Sequence, residues 1–473
     1  MPPRHDRSSK FVRSVFFHME HRDLIACHEC DSLFRKPPRL RGLVAHCSSC
    51  GASMKGVRHA GLTLEKACAV TVAALITFLI AQAFPVLALE SNGLTSHATL
   101  FEAVEALWKG QMHIVSAMVF STTMLFPSFE LVALLYLLLP LRTGRVPRAF
   151  DAVLRVVQFV RPWGMTEVFM LGVLITIVKM VSLARVIPGT SLFAFGALTL
   201  MFCVIAAFDP CMLWEIRDEV MNRGGAPAAP ARRRNKQRDM HGDAAPAVES
   251  AVESAVESAP APVTARHAGF IACHCCGLVH SRSAQVVDSH CVRCRSPLHE
   301  RRPASITRTF GLLLAAALLY IPANLLPIMH TSSLGRAEDD TILGGIAYFW
   351  RSGDWPLAVV VFVASVMVPM LKLAILTLQT VTAWRGSDWQ PLERARLYRM
   401  VERVGRWSML DVFVVSLTVA LVHFGSLAQI TAGPGALAFG SVVVLTMLAA
   451  NEFDPRLIWD NVRHRPARSS ARS

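Results

Sequence analysis

The sequence predicts an all-α polytopic membrane protein: two tandem four-helix transmembrane modules, eight spans in all, each preceded by a small cysteine-rich ribbon in the cytosol. Three observations lead there. The 473 residues are 53% hydrophobic and only 17% charged, with a mean hydropathy of +0.41, too apolar for an ordinary soluble enzyme. Apolar runs recur that are long enough to cross a hydrocarbon core of ~30 Å, which takes about 20 helical residues. Finally, the chain says the same thing twice. Leu24-Ile25-Ala26-Cys27-His28-Glu29-Cys30 returns as Phe270-Ile271-Ala272-Cys273-His274-Cys275-Cys276, Trp108 answers Trp350, and Trp163 answers Trp407.

In chain order, residues 1–22 form a polar tail without a secretory leader, so the first span is expected to act as a signal anchor. Residues 23–60 make the first ribbon and 61–215 the first transmembrane module, with spans near 64–89, 112–140, 164–187 and 190–214. Residues 216–266 are a tether: Arg232-Arg233-Arg234 and three Ala-Val-Glu-Ser units from Ala247 to Ser258 cannot bury a core. The second ribbon takes 267–302 and the second module 303–460, with spans near 307–330, 355–384, 408–431 and 434–455, before a basic tail at 461–473. Arg142, Arg145, Arg148, Arg155 and Arg161 crowd the loop between the second and third spans, and Arg385 to Arg406 its counterpart. By the positive-inside rule these loops, both ribbons and both termini face the cytosol. The net charge of +14 therefore reads as topology rather than nucleic-acid binding. An even number of spans per module gives both the same orientation, about an axis along the membrane normal. Neither a phosphate loop nor a nucleophile elbow occurs, and no enzyme is expected.

The cysteines carry the sharpest motif. Cys27-x2-Cys30 is followed after sixteen residues by Cys47-x2-Cys50, and Cys273-x2-Cys276 after fourteen by Cys291-x2-Cys294. Paired knuckles of this kind bring four thiolates to the corners of a tetrahedron ~2.3 Å from a Zn2+ ion. A closed four-sulfur site leaves no position for a reacting water, so each ribbon reads as a structural zinc ribbon. A rubredoxin-like iron site uses the same ligands and stays open. Disulfides are disfavoured in a reducing cytosol. His28, His46, His274 and His290 flank both copies, Cys275 is a spare thiol, and Cys68, Cys203 and Cys211 read as packing residues.

Charges inside spans are costly in hydrocarbon and mark candidate transport positions. Glu130 and Lys372 occupy equivalent sites, each three residues after a proline, Pro127 or Pro369, expected to kink its helix and free a carbonyl. They are expected to line one central polar site and to pair. Pro85 and Pro327 read as further kinks, with Gln82 and Asn324 placed to hydrogen-bond across the break. The third spans carry Glu167 and Lys179 in one copy, Asp411 and His423 in the other. At ~1.5 Å per residue Lys179 lies about 22 Å from the inner end, with snorkelling as its alternative. Glu167 and Asp411 read equally as interfacial caps, and His423 as a proton relay or a packed histidine. Phe208-Asp209-Pro210-x3-Trp214 and Phe453-Asp454-Pro455-x3-Trp459 close the modules, with the tryptophans expected at the membrane interface.

With Ala323-Asn324-x2-Pro327 on the fifth span, Trp407-Ser408-Met409-x-Asp411-Val412-Phe413 opening the seventh and the doubled Cys-x-x-Cys pairs, the chain resembles the paraquat-inducible protein A family over residues 24–214 and 270–459. The resemblance implies a multi-pass protein of a bacterial inner membrane that works beside a periplasmic partner built of MCE (mammalian cell entry) domains and moves phospholipid between membranes. The rival expectations are a zinc- or redox-responsive membrane regulator and an exporter of small amphiphilic toxins.

Overall fold

Proline decides where the first helix of each half stops. In the computed structural model, which describes residues 24–36, 45–54, 64–91, 94–181, 185–206, 210–225, 264–282, 290–333, 336–421 and 428–460, helix α1 spans Leu64–Ala83 and ends two residues before Pro85. Its counterpart ends at Leu325, two residues before Pro327. A proline has no N–H to donate and pushes its predecessor out of the helical region, so Pro85 and Pro327 terminate helices and do not kink them. The chain then turns into strands, which corrects the all-α expectation and the extension of these spans to residues 89 and 330. Among the described residues the protein is mostly helical, with two three-stranded antiparallel sheets and two two-stranded ones.

The first sheet is ordered β4-β3-β5, from β3 (Leu87–Ser91), β4 (Leu94–Ala98) and β5 (Arg185–Pro188), with Leu87 opposite both Ala98 and Pro188. The second comprises β8 (Met329–Ser333), β9 (Arg336–Asp340) and β10 (Ala428–Ala432), with Met329 opposite Asp340 and Ala432. Each sheet thus joins the end of a half's first helix to the segment that leads into the helix at Thr190 or at Pro434. Glycine makes the closest approach possible. A Cβ on Gly189 would lie 2.0 Å from the Pro85 carbonyl oxygen and one on Gly433 2.3 Å from that of Pro327.

The remaining helices of the first half are α2 (Leu100–Lys109), α3 (His113–Phe120), α4 (Phe126–Arg142), α5 (Phe150–Val160), α6 (Thr166–Val181), α7 (Thr190–Ala206) and α8 (Cys211–Gly225). After the short α9 (Ala265–Ala268), the second half repeats the order with α10 (Ser305–Leu325), α11 (Ile342–Arg351), α12 (Trp355–Phe362), α13 (Val368–Trp384), α14 (Pro391–Val404), α15 (Leu410–Leu421) and α16 (Pro434–Glu452). A π-helical turn joins α3 to α4 (Ser121–Leu125) and α12 to α13 (Val363–Met367). Pro127 and Pro369 follow directly, and the wider turn is where each ring's clash with the carbonyl four residues back is absorbed. Hydroxyls cover part of the loosened backbone: Thr122 donates to the Met118 carbonyl and Thr123 to that of Val119.

Among the described residues, six helical stretches are long and apolar enough to cross a membrane: Leu64–Ala83, His113–Arg142, Phe150–Val178, Ser305–Leu325, Trp355–Trp384 and Pro434–Glu452. The pair Thr190–Ala206 and Cys211–Asn222 makes a seventh if counted as one span. The expected span at 408–431 is α-helix only over α15: residues 422–427 lie outside the described residues, and from Ala428 the chain is strand β10, which corrects the helical end of that span. His423, the 1–22 tail, the tail from 461 and most of the tether also lie outside the described residues.

The chain divides into two compact units. The larger, residues 65–136, 155–207 and 302–473, holds helices of both halves. Its middle is α6 against α15, where Phe169 meets Phe413 edge to face at 5.7 Å and Gly172 leaves only 3.1 Å for a Cβ before the Phe413 side chain. The smaller unit, residues 1–64, 137–154 and 208–301, contains both ribbons. Hairpins β1 (Leu24–Ala26) with β2 (Leu33–Arg35) and β6 (Phe270–Ala272) with β7 (Val279–Ser281) share one apolar core of Leu24, Leu33, Ala265, Ala268, Phe270 and Val279.

Candidate functional site

Each half-cluster of cysteines is built by the same short backbone loop. In all four, the first Cys carbonyl accepts from the N–H four residues on: Asp31 to Cys27, Gly51 to Cys47, Gly277 to Cys273 and Arg295 to Cys291, at 2.8 to 3.0 Å. That fourth residue is left-handed each time, with φ of 62, 74, 74 and 57°. The loops aim their sulfurs inward, Cys27 to Cys50 at 3.6 Å, Cys30 to Cys47 at 3.5 Å, Cys273 to Cys294 at 3.4 Å and Cys276 to Cys291 at 3.5 Å. The edge of a tetrahedron with ~2.3 Å metal–sulfur bonds is about 3.8 Å, so both buried four-cysteine sets fit a tetrahedral ion. None of the eight is in a disulfide. Hydrogen bonds from Cys276 and Cys291 bring the Cys273 thiol down to about 6. Those from Cys27, Cys30 and Cys50 lower Cys47 as well. Sequence reasoning missed His280, whose Nε2 lies 3.3 Å from Cys291 Sγ.

The two ribbons also clasp each other. Asp31, buried beside the first cluster, takes both terminal nitrogens of Arg301 at 3.3 Å, its carbonyl accepts from Ala265 N–H at 2.7 Å, and Ser32 bridges to Thr264. A second seat lies on α8. There Arg217 reaches Asp151 at 2.6 Å and the Arg293 carbonyl at 2.9 Å, and Asp218 accepts from Arg293 at 3.0 Å. Lys36 of the first ribbon pairs with Glu215. The second ribbon, which precedes the second half in sequence, thus packs on the first ribbon and on the last helix of the first half. Trp214 is buried edge-on against Phe150, with the Arg217 guanidinium 5.9 Å above it, and Trp459 is buried too. Neither tryptophan is the interface anchor expected.

Within the larger unit, Glu130 does not meet Lys372. Its carboxylate lies 3.6 Å from Arg161, the first residue of the 3-10 turn Arg161–Trp163, and Arg161 also donates to the Ile205 carbonyl at 3.1 Å. Lys372 is 3% exposed, and its Nζ has no hydrogen-bond partner among the described residues. The expected pairing is corrected: one charge is matched inside its own half, and the other has no partner among the described residues. Gln82 is likewise unpartnered, whereas Asn324 donates to the Tyr320 carbonyl in its own helix. Glu167 is exposed, with the Cys203 thiol 3.7 Å away. Lys179 lies in α6 and Asp411 in α15, but their side chains fall outside what is described.

Asp454 turns out to be a latch. Arg456 grips its carboxylate at two points, both 3.0 Å, the Arg302 N–H donates to it at 3.2 Å, and its own N–H donates to Ser305, the first residue of α10. Burial pushes the carboxyl up, but Arg456 and these N–H groups outweigh it and hold Asp454 below the usual carboxylate range. A lowered pKa contributes stability above the unfolded value that is lost as pH falls through the folded one. Asp454→Asn is expected to cost about 3–5 kcal/mol at neutral pH. In melting curves that deficit narrows only below about pH 3.9.

The duplicated order of elements, the doubled four-cysteine clusters and the repeated helix-ending prolines coincide with a family match. The model described as Paraquat-inducible protein A matches residues 64–218 and 306–463. This chain belongs to the paraquat-inducible protein A family. The intermembrane transport protein PqiA of Escherichia coli strain K12 is 33% identical over 447 residues, 92% of this chain and 95% of that protein. The lipophilic envelope-spanning tunnel protein A of the same strain is 29% identical over 450 residues, 95% and 94% of the two chains. A probable intermembrane transport protein of Haemophilus influenzae is 40% identical over 173 residues, 36% of this chain and 41% of its own length. No solved structure matches. As members of the paraquat-inducible protein A family, these relatives bear transport names rather than enzyme names, and this chain is a multi-pass membrane protein with two clusters able to hold a metal ion.

Proposed function

We propose that this chain is the inner-membrane component of an intermembrane lipid-transport system, taking phospholipid from the bilayer between its two halves and passing it to a periplasmic partner built of MCE domains. Each half contributes four spans, both ribbons hold structural Zn2+, and the ribbons and termini face the cytosol. Lys179, His423, Glu167 and Asp411 then join Glu130, Lys372, Gln82 and Asn324 as candidate cavity residues. The names of the relatives support transport between membranes. Lipid as cargo is supported by a single observation: the two halves repeat the same elements, yet among the described residues only one of their two mutual seams is filled.

On the filled side, α16 buries ten residues, and a Cβ on Gly440 would lie 2.9 Å from the Met118 methyl of the other half. Helix α2 buries Ala103 and Leu107 completely. The equivalents on the opposite side stand open. Helix α7 buries four residues and leaves Phe193 and Leu200 70% exposed; Gly345, the counterpart of Ala103, has nothing within 4 Å of a Cβ; Val360, the counterpart of Met118, is exposed. An apolar gap between membrane-embedded halves suits an acyl chain, which gains its binding free energy there from packing and excluded lipid rather than polar contacts.

The test closes that gap. Gly196→Cys with Val360→Cys, bridged by a bifunctional thiol reagent in a Cys203→Ser background, is expected to stop phospholipid transfer from proteoliposomes to an acceptor, while the same bridge between Met118→Cys and Gly440→Cys leaves transfer intact. Equal transfer with both bridges overturns entry through the open seam.

A further inference from the structure

Glu130 and Lys372 sit at the same place in the repeat, and so do their neighbours. Trp163 aligns with Trp407, which sets Arg161 against Gly405, and each of these two residues opens the 3-10 turn of its half, Arg161–Trp163 and Gly405–Met409. In the first half the pocket holds an anion and a cation, Glu130 with Arg161 at 3.6 Å. In the second half both partners have changed. The carboxylate has become Lys372, and the side chain that would face it has been removed altogether.

What fills the room is the lysine itself. A Cβ on Gly405 would stand 3.2 Å from both Cε and Nζ of Lys372, so the ammonium lies directly over the glycine backbone. It is 3% exposed and accepts no help from a carboxylate or carbonyl among the described residues. Seven residues earlier in the chain, in the π turn that leads into the same helix, the Ser365 hydroxyl is also buried with no hydrogen-bond partner among the described residues. An uncompensated ammonium in a membrane interior costs free energy unless something neutralises it. The first half shows that this pocket accepts a matched pair, so a cation with no partner among the described residues is a departure from the repeat and not a demand of the fold.

We propose that Lys372 and the Ser365 hydroxyl form the binding site for a phosphodiester anion, the headgroup phosphate of the transported lipid, with Gly405 keeping the ammonium free to reach it. This rests on the lipid-transport reading and assigns its headgroup site. A single cation with a hydroxyl donor matches one net negative charge on tetrahedral oxygens. It also lets the group leave, because a second cation or a bidentate arginine would hold it more tightly.

The full chain, purified from proteoliposomes of phosphatidylglycerol and phosphatidylcholine, is assayed for copurifying phospholipid and for transfer. Three variants are compared: Lys372→Arg, Lys372→Met, and the double variant Lys372→Glu with Gly405→Arg, which rebuilds the ion pair the first half already contains and so keeps the pocket matched. Lys372→Arg is expected to retain lipid. Lys372→Met and the double variant are expected to lose about tenfold to hundredfold in lipid retained, the size of one charge-assisted hydrogen bond, with melting temperature and metal content close to those of the unmodified chain. Equal retention by all of them overturns the headgroup site while leaving lipid transport standing. Absence of bound or transferred lipid in the unmodified chain overturns transport itself. Displacement of the lipid by inorganic phosphate alone, dependent on Lys372, assigns the site to a free anion and overturns the headgroup source.

Discussion

Cys30→Ser is expected to cost more than the single metal ion that Cys30 is placed to hold. The first ribbon is too short to bury a core of its own, and ribbons of this size take their folding free energy from the metal, about 10–16 kcal/mol in comparable zinc peptides. Its hairpin contributes Leu24 and Leu33 to the core that Phe270 and Val279 of the second ribbon also use. Its knuckle positions Asp31 for Arg301 and for the Ala265 N–H. Unfolding the first ribbon therefore exposes the second. Metal content should fall below half that of the unmodified chain, and residues around Cys291 should become protease-sensitive along with those around Cys47. Loss of half the metal with the second ribbon still protected would show that the shared core is dispensable.

Gly433→Ala is the backbone counterpart. The added methyl would stand 2.3 Å from the Pro327 carbonyl oxygen, and the same glycine donates its N–H to Ile328 at 2.6 Å, so the carbonyl cannot withdraw without breaking the start of β8. A clash with backbone on one side and a short hydrogen bond on the other places this change among the most destabilising, more than about 4 kcal/mol. Accumulation in membranes and the melting temperature in detergent should both fall. Gly345→Ala is the control. It lies within α11 with nothing within 4 Å of the new carbon, and helix propensity predicts a gain of up to about 1 kcal/mol.

Sequence alone reached the metal clusters because ligand spacing is itself the chemistry: two Cys-x-x-Cys knuckles need little else to define a tetrahedral site. It also singled out Glu130 and Lys372 as charges inside apolar runs, and both side chains are buried. The hairpins were missed even though Asn92-Gly93, a strong turn signal, separates Leu87–Ser91 from Leu94–Ala98. The apolar start of β3 continues the run of α1 and reads as more helix. The third strand of each sheet comes from nearly a hundred residues away, and no local pattern announces it. The exchange of Arg161 for Gly405 was hidden for a different reason. The repeat offset slips by two residues between Pro127/Pro369 and Trp163/Trp407, so the neighbours of Glu130 and Lys372 line up only once the turns that carry them are seen. Burial of Trp214 depends on Phe150 and Arg217, partners that hydropathy cannot supply.

The clasp between the ribbons changes what the intervening chain is for. Helix α8 ends at Gly225 in the smaller unit, and Thr264 is bridged to Ser32 in that same unit, so both ends of the stretch between them are already anchored. Closing a loop costs little more as it lengthens, about 0.6 kcal/mol per doubling, and the Ala-Val-Glu-Ser units can multiply or vanish without moving either anchor. Carried to its limit, the covalent link becomes optional: two polypeptides cut between Gly225 and Thr264 and produced together would still find each other through the clasp, and one gene could work as two.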